Sequence, residues 1–190
     1  GEKLSSPSKI LNLPNILSLI RLIFVPITVW LLLEELYDFT FFIFIFCCLT
    51  DGLDGYIAKR FKLETNLGRI LDPIADKALL MSVFLALGFE GFMESWVVIA
   101  AIFRDSLIIF GSILLYMFYN EYKIQPIFIS KMNTLFQFLL AAIIISNLAF
   151  NLFHLDVIYL LELVVGITII ISGVAYVVHW GRFALRMEEK

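Results

Sequence analysis

Charged residues are scarce in this sequence. Asp, Glu, Lys and Arg make up 16% of its 190 residues, while 61% are hydrophobic; a soluble domain is about a quarter charged. Such a chain has too little polar surface to cover a water-soluble globule. The composition therefore predicts a protein that lies within a membrane. The sequence shows no cluster of basic residues of the kind that indicates binding to nucleic acid.

Cysteine is rarer still. The two cysteines, Cys47 and Cys48, are adjacent in an apolar run, whereas a disulfide framework needs several spaced cysteines. We interpret both as small buried hydrophobic residues. The first residues are polar and no small-residue cleavage site follows an apolar core, so we expect no cleavable signal peptide.

Long apolar runs dominate the rest of the chain. A membrane-spanning helix needs roughly 20 apolar residues, and six segments meet that length: residues 16–33, 39–59, 70–89, 95–119, 127–150 and 155–180. In the N-terminal segment 1–15, the run Ser8–Asn15 mixes lysine with bulky aliphatic residues, which is typical of a short helix at the membrane interface. The sequence thus predicts an all-α integral membrane protein with six transmembrane helices in one domain over residues 1–190.

Lys and Arg are absent from the loops after the first, third and fifth predicted spans, which carry acidic residues instead. All 14 basic residues lie on the opposite side or in the helix halves next to it. Because short cytoplasmic loops carry the positive excess, we expect both termini in the cytoplasm. The corresponding location is the inner membrane of a bacterium, with the mitochondrial inner membrane as the alternative.

Four aspartates follow helical spacing around the connection between the second and third spans. Asp51 and Asp54 share one helix face, and Asp72 and Asp76 share a face of the next helix. Small residues lie on the same faces: Gly55, Ala58 and Gly68. Pro73 either begins the third helix, with Asp72 as its N-cap, or lies inside a longer one.

Four neighbouring carboxylates cannot all be ionised without compensation. Carboxylate oxygens with few nitrogen or sulfur ligands nearby suit hard cations such as Mg²⁺ or Mn²⁺. Mg²⁺ binds through few carboxylates together with substrate phosphates, so the cluster indicates a phosphate-bearing substrate. The small residues would let a nucleotide approach the backbone closely.

This run resembles the signature of the CDP-alcohol phosphatidyltransferase family. The signature reads Asp, two residues, Asp-Gly, two residues, Ala-Arg, eight residues, Gly, three residues, Asp, three residues, Asp, and every spacing is met. The one departure is Lys59 in place of the arginine, with Arg60 directly after it. Lysine keeps the charge but loses the bidentate fork that suits a diphosphate. The resemblance covers most of the chain, since six helices match the architecture of the family.

The resemblance implies an enzyme that moves a phosphatidyl group from CDP-diacylglycerol to an alcohol, with release of CMP. It implies two Mg²⁺ or Mn²⁺ ions held by Asp51, Asp54 and Asp72, with Asp76 also near them and serving as general base. The remaining residues that we expect at the CDP-lipid are Gly55, Ala58, Lys59, Arg60, Gly68, Asn15 and Arg21. For Arg21 the alternative is a side chain that extends to the membrane interface.

Further polar residues lie inside the predicted helices. Arg104 and Asp105 occupy the fourth span, where ionised groups are costly and usually functional. We favour a contact from Arg104 to an acceptor or lipid phosphate over a structural pairing. The fifth span carries a polar stripe beside Lys131, which consists of Ser130, Asn133, Thr134 and Gln137. This stripe forms either a wall of the acceptor site or contacts between helices. Glu162 in the sixth span suggests a helix or dimer interface, and we expect a homodimer.

Members of the family differ in the alcohol that accepts the phosphatidyl group. The runs Phe103–Asp105 and Pro126–Thr134, and Gly181-Arg182, resemble cardiolipin synthases, whereas phosphatidylglycerophosphate synthases usually carry Arg-Glu in the first run and a lysine where Asn133 stands. With Arg104 and Lys131 as the main charges, we expect phosphatidylglycerol as acceptor and cardiolipin as product. Glycerol 3-phosphate is the alternative acceptor. A divalent-cation transporter is a distant alternative, since no inverted repeat or pair of broken helices is evident.

Overall fold

The structure, a computed structural model, describes residues 13–61, 66–119 and 128–188, apart from a few side chains that include those of Ala58 and Asp72. The described residues form six α-helices and contain no strand. The helices are α1 (Leu13–Leu33), α2 (Tyr37–Arg60), α3 (Asn66–Phe89), α4 (Ser95–Phe118), α5 (Phe128–Phe150) and α6 (Leu155–Glu188). This confirms the all-α class. The interfacial helix predicted for residues 1–15 lies almost entirely outside the described residues.

Five of these helices are long and apolar enough to cross a membrane: α1, α2, α4, α5 and α6. Helix α3 is as long as α2 and α4, at 24 residues. Its first half, however, carries the charged residues of the aspartate motif, which lower its apolar character. The number of helices therefore matches the six predicted spans, and the span of α3 stays a prediction.

Helix α3 begins at Asn66, so Pro73 lies inside a longer helix. Of the two alternatives left by the sequence, the one that made Asp72 the N-cap is wrong. Pro73 is the eighth residue of α3, beyond the four N-terminal amides that have no helical partner, so the helix lacks one backbone hydrogen bond there.

The chain divides into two compact units by its packing. The first comprises residues 1–90 and 141–152, and the second comprises residues 91–140 and 153–190. Within the first unit, α1 packs against both α2 and α3. Its core is apolar, with fully buried side chains that include Leu32, Phe44, Leu79 and Phe84. Helix α1 is thus the element that joins the two helices of the aspartate motif.

Within the second unit, α4 packs against α6 at two glycines. A Cβ atom added to Gly111 would lie 2.3 Å from the ring of Trp180, and one added to Gly166 would lie 2.1 Å from the ring of Trp96. Each helix therefore supplies one glycine and one tryptophan. The absence of a side chain at both glycines is what lets the indole rings lie against the opposite backbone.

Three helices end at a residue with a left-handed backbone. Glu35 after α1, Gly91 after α3 and Asn151 after α5 have φ angles of 59°, 78° and 52°. After α1 the amide of Leu36 donates to the carbonyl of Leu31 and that of Glu35 donates to Leu32, which is the Schellman pattern of a helix C-terminus. After α1 this ending leaves only a short connection before α2.

Candidate active site

Arg21 lies among three aspartates of the motif in the first unit. Its Nη1 atom donates to Asp76 Oδ1 at 2.8 Å and to Asp51 Oδ1 at 3.2 Å, and its Nη2 atom donates to Asp54 Oδ2 at 2.5 Å. The side chain of Arg21 is fully buried, so the alternative that it extends to the membrane interface is wrong. Since one nitrogen contacts both Asp51 and Asp76, carboxylates from α2 and α3 lie close together.

Helix α1 presents a polar face toward this cluster. Asn15, Ser18 and Arg21 are all buried on it, and their spacing of three residues puts them on one side of the helix. The Ser18 hydroxyl lies 3.3 Å from Asp54 Oδ2 and 3.1 Å from the carbonyl of Pro14. Asp54 is itself buried, whereas the side chains of Asp51 and Asp76 are 38% and 22% exposed. The cluster therefore has a closed end at Asp54 and an accessible end at the other two carboxylates.

The other residues expected at the CDP-lipid lie at the ends of α2 and α3. A Cβ atom added to Gly55 would meet no heavy atom within 4 Å, so there is open space beside that backbone. Lys59 and Arg60 are exposed at the end of α2, and Arg60 donates to the Tyr56 hydroxyl at 3.2 Å. Gly68 is half-buried in α3. The side chains of Ala58 and Asp72 lie outside the described residues, so their predicted roles stay predictions.

The chemistry of the donors fits a hard divalent cation, because every charged ligand candidate of the motif is a carboxylate. Within the described ranges, no three carboxylate, imidazole or thiolate groups are arranged as a ligand set for one ion. Instead the guanidinium of Arg21 lies where the three carboxylates converge. Sequence reasoning missed these ion pairs, although a buried arginine in a membrane helix is itself a signal for a carboxylate partner.

Arg104 is the centre of a polar cluster in the second unit. It is buried, and its Nη1 atom donates to the adjacent Asp105 at 2.7 Å. Nε and Nη2 donate to the Ser172 hydroxyl at 3.1 and 3.0 Å, and Nη2 also donates to the Ser130 hydroxyl at 2.5 Å. The structural pairing that the sequence left open is thus present. The predicted phosphate contact of Arg104 stays a prediction.

The polar stripe of α5 makes contacts between helices. The amide nitrogen of Asn133, which is fully buried, donates to Thr168 on α6 at 2.9 Å, and its amide oxygen accepts from Gln137 at 2.7 Å. Lys131 is exposed. The alternative that the stripe holds helices together is therefore supported for Asn133 and Gln137. Glu162 is buried, and within the described structure its Oε2 atom has no hydrogen-bond partner.

The arrangement agrees with a comparison of the sequence with known families. The family model for CDP-alcohol phosphatidyltransferases matches residues 11–181, which is most of the chain. The chain belongs to the CDP-alcohol phosphatidyltransferase family. This confirms the resemblance carried by the aspartate spacing, and with it an enzyme of phospholipid synthesis. Catalysis in this family generally depends on divalent metal ions.

Relatives of known name fall into two groups. A CDP-diacylglycerol–glycerol-3-phosphate 3-phosphatidyltransferase of Aquifex aeolicus is 28% identical over 180 residues, which cover 93% of this chain and 96% of that protein. The rat and human cardiolipin synthases (CMP-forming) are each 30% identical, over 90% and 94% of this chain. The chain spans 62% and 65% of the length of those two proteins. Both acceptor groups are thus represented among the relatives.

Proposed function

We propose that this protein transfers the phosphatidyl group of CDP-diacylglycerol to phosphatidylglycerol, forming cardiolipin and releasing CMP at the cytoplasmic side of the membrane. The proposal is supported by the family of the chain, by its membrane-spanning helices and by the aspartates that Arg21 gathers in the first unit. In the reaction an oxygen–phosphorus bond forms at the acceptor hydroxyl and the bond from that phosphorus to CMP breaks.

Asp76 is the proposed general base. Its carboxylate is part of the cluster yet 22% exposed, so an acceptor hydroxyl can approach it and transfer its proton to an oxygen of Asp76. Asp51, Asp54 and Asp72, together with Asp76, would hold two Mg²⁺ or Mn²⁺ ions, which supply charge stabilisation for the diphosphate. Gly55 and Gly68 would leave room for the nucleotide.

The choice of acceptor rests on one observation, which is that Asp105 already compensates the charge of Arg104. Glycerol 3-phosphate is a small dianion, whose binding requires several cationic donors in place of its lost hydration. Among the described buried residues of the second unit, Arg104 is the one cation, and Asp105 lies 2.7 Å from it. The nitrogen and the oxygen of the Asn133 side-chain amide both already form hydrogen bonds. Such surroundings favour a lipid acceptor with a neutral glycerol and one phosphodiester charge, which Arg104 and Lys131 would contact.

Glycerol 3-phosphate is the second candidate acceptor. It is favoured by the Aquifex aeolicus relative, whose name specifies that acceptor and whose length the chain covers almost completely. An enzyme with this acceptor would form phosphatidylglycerophosphate.

Purified protein supplied with CDP-diacylglycerol, Mg²⁺ and one acceptor at a time distinguishes the two candidates. We expect cardiolipin from phosphatidylglycerol, and much slower formation of phosphatidylglycerophosphate from glycerol 3-phosphate. The matched control is an Asp51→Asn variant, which reports any product that does not depend on the motif. Rapid formation of phosphatidylglycerophosphate without cardiolipin would overturn the choice of acceptor and leave the phosphatidyltransferase activity intact.

A further inference from the structure

Arg21 and the three aspartates compensate each other. A buried guanidinium needs carboxylate partners, and clustered carboxylates need a cation. Arg21 reaches one oxygen on each of Asp51, Asp54 and Asp76 with two of its nitrogens. The side chains of α1, α2 and α3 therefore form a cation–anion cluster in which three carboxylates surround one guanidinium.

The cations that the family uses would need the same groups. Mg²⁺ and Mn²⁺ bind carboxylate oxygens, and a divalent ion placed among these aspartates would lie close to the positive guanidinium. Two cations at one carboxylate cluster repel each other, so each weakens the binding of the other. The contacts of Arg21 and the binding of a divalent ion are therefore in competition.

The two ends of the cluster differ in accessibility. Asp51 and Asp76 are 38% and 22% exposed, whereas Asp54 is buried and contacts both Arg21 and Ser18. An ion from solution thus reaches Asp51 and Asp76 first. These are the two carboxylates that share the Nη1 atom of Arg21.

Arg21 also has an unused donor. Its Nε atom is buried and, in the described part of the chain, has no hydrogen-bond partner. An unsatisfied buried donor is costly, and an additional anion would satisfy it. Phosphate oxygens accept such hydrogen bonds from arginine in pairs.

We propose that Arg21 is an internal cation that a divalent metal displaces from Asp51 and Asp76, which releases its guanidinium toward the diphosphate of the CDP-lipid. Binding of the metal and binding of the nucleotide lipid are then coupled through one side chain. The proposal rests on the metal-dependent function proposed above and adds the exchange of one cation for another.

The wild-type protein provides a direct test with Mn²⁺ alone as the probe. Purified protein is treated with phenylglyoxal, which modifies accessible arginines, with and without Mn²⁺, and modification is measured for each arginine by mass spectrometry. We expect Mn²⁺ to raise modification of Arg21 several-fold. Arg104 is the matched control, since it is equally buried but has one carboxylate partner outside the motif; its modification should not change. Arg182 is exposed and reports the activity of the reagent.

Substitution tests the competition itself. In Arg21→Gln the competing charge is absent, and we expect Mn²⁺ to bind at least about tenfold more tightly, as followed by electron paramagnetic resonance, because one nearby charge shifts ionic equilibria by about one to three powers of ten. Arg21→Lys keeps the charge and should stay close to wild type. If Arg21→Gln does not fold, the phenylglyoxal experiment decides.

The outcomes separate the two proposals. Wild-type protein that binds no Mn²⁺, or binds it as tightly as Asp51→Asn, contradicts the metal site and thus the proposed function. Wild-type protein that binds Mn²⁺ at the cluster while Arg21 stays protected contradicts only the exchange. Unchanged or weaker Mn²⁺ binding by folded Arg21→Gln contradicts it as well.

Discussion

Arg21 and Arg104, which are the buried arginines among the described side chains, are compensated in different ways. Arg21 contacts three carboxylates that come from two other helices, whereas Arg104 contacts the carboxylate of its own neighbour Asp105 and the hydroxyls of Ser130 and Ser172. Burial of a charge is tolerated only where such partners exist. The cluster of Arg21 is anionic beyond the charge of the arginine, and that excess is what a further cation would neutralise.

A prediction at this scale concerns the metal ligands. We expect Asp72→Asn to lower the phosphatidyltransferase rate at least several hundredfold, since metal-assisted charge stabilisation contributes several kcal/mol. EDTA should abolish wild-type activity, and added Mg²⁺ or Mn²⁺ should restore it. The rate of CMP release measures both effects. Asp38→Asn is the control, because Asp38 is exposed in the first turn of α2, far along the helix from the motif. Full activity in EDTA would contradict the assignment.

The limit of sequence reasoning is visible at this same cluster. Spacing along one helix placed Asp51 with Asp54, and Asp72 with Asp76, because residues three or four apart share a face. The ion pairs join residues 30 to 55 positions apart in the chain. Such contacts depend on how helices pack, and no local pattern specifies which side chain a buried arginine will reach.

At the scale of the helices, apolar length alone located the elements, and each predicted span overlaps one observed helix. The largest difference is at α6, which extends to Glu188 where the apolar run predicted an end near residue 180. Helix α3 begins at Asn66 rather than near residue 70, because Asn66, Gly68 and Arg69 interrupt the apolar run in its first turn. The contacts of Gly111 and Gly166 with tryptophan rings were not predicted either, because glycine in a membrane helix has several possible roles.

These two glycines give a prediction about the pair α4 and α6. We expect Gly166→Ala to lower stability by about 1–3 kcal/mol, the usual cost of overpacking, because its new methyl group would lie 2.1 Å from the Trp96 ring. Thermal unfolding in detergent measures the effect. Replacing Trp96 with a smaller residue in the same chain should recover part of the loss.

Gly181→Ala is the matched control for that experiment. It lies on the same helix, but an added Cβ would meet no atom within 4 Å. Alanine is a better helix former than glycine, so this variant should be at least as stable as wild type. Equal losses in both variants would show that the indole contact is not the cause.

At the scale of the whole molecule, the distribution of charge predicts an orientation in the membrane. The connections after α1 and α3 carry acidic residues, and the first acidic residue after α5 is Asp156 in the first turn of α6. All three helices end at a residue with a left-handed backbone. The basic residues lie toward the other ends, where the aspartate motif also lies. Because of the positive-inside tendency, we expect the proposed active site, and with it the release of CMP, at the cytoplasmic face.

Cysteine labelling tests this orientation. In a variant without Cys47 and Cys48, we expect single cysteines at Glu35 and Glu90 to react with an impermeant thiol reagent added to intact cells. A cysteine at Arg186, exposed near the end of α6, should react only after permeabilisation. The reverse pattern would place the motif on the other side of the membrane.

The ion pairs of Arg21 also constrain the order of events during biosynthesis. Helix α1 is synthesised before α2 and α3, so its arginine can contact Asp51 and Asp54 only after 30 and 33 further residues, and Asp76 only after 55. Until then α1 would expose an uncompensated charge to lipid, a costly arrangement. We therefore expect the first three helices to enter the bilayer as a group, because a nascent chain interrupted before α3 lacks Asp76, one of the partners of Arg21.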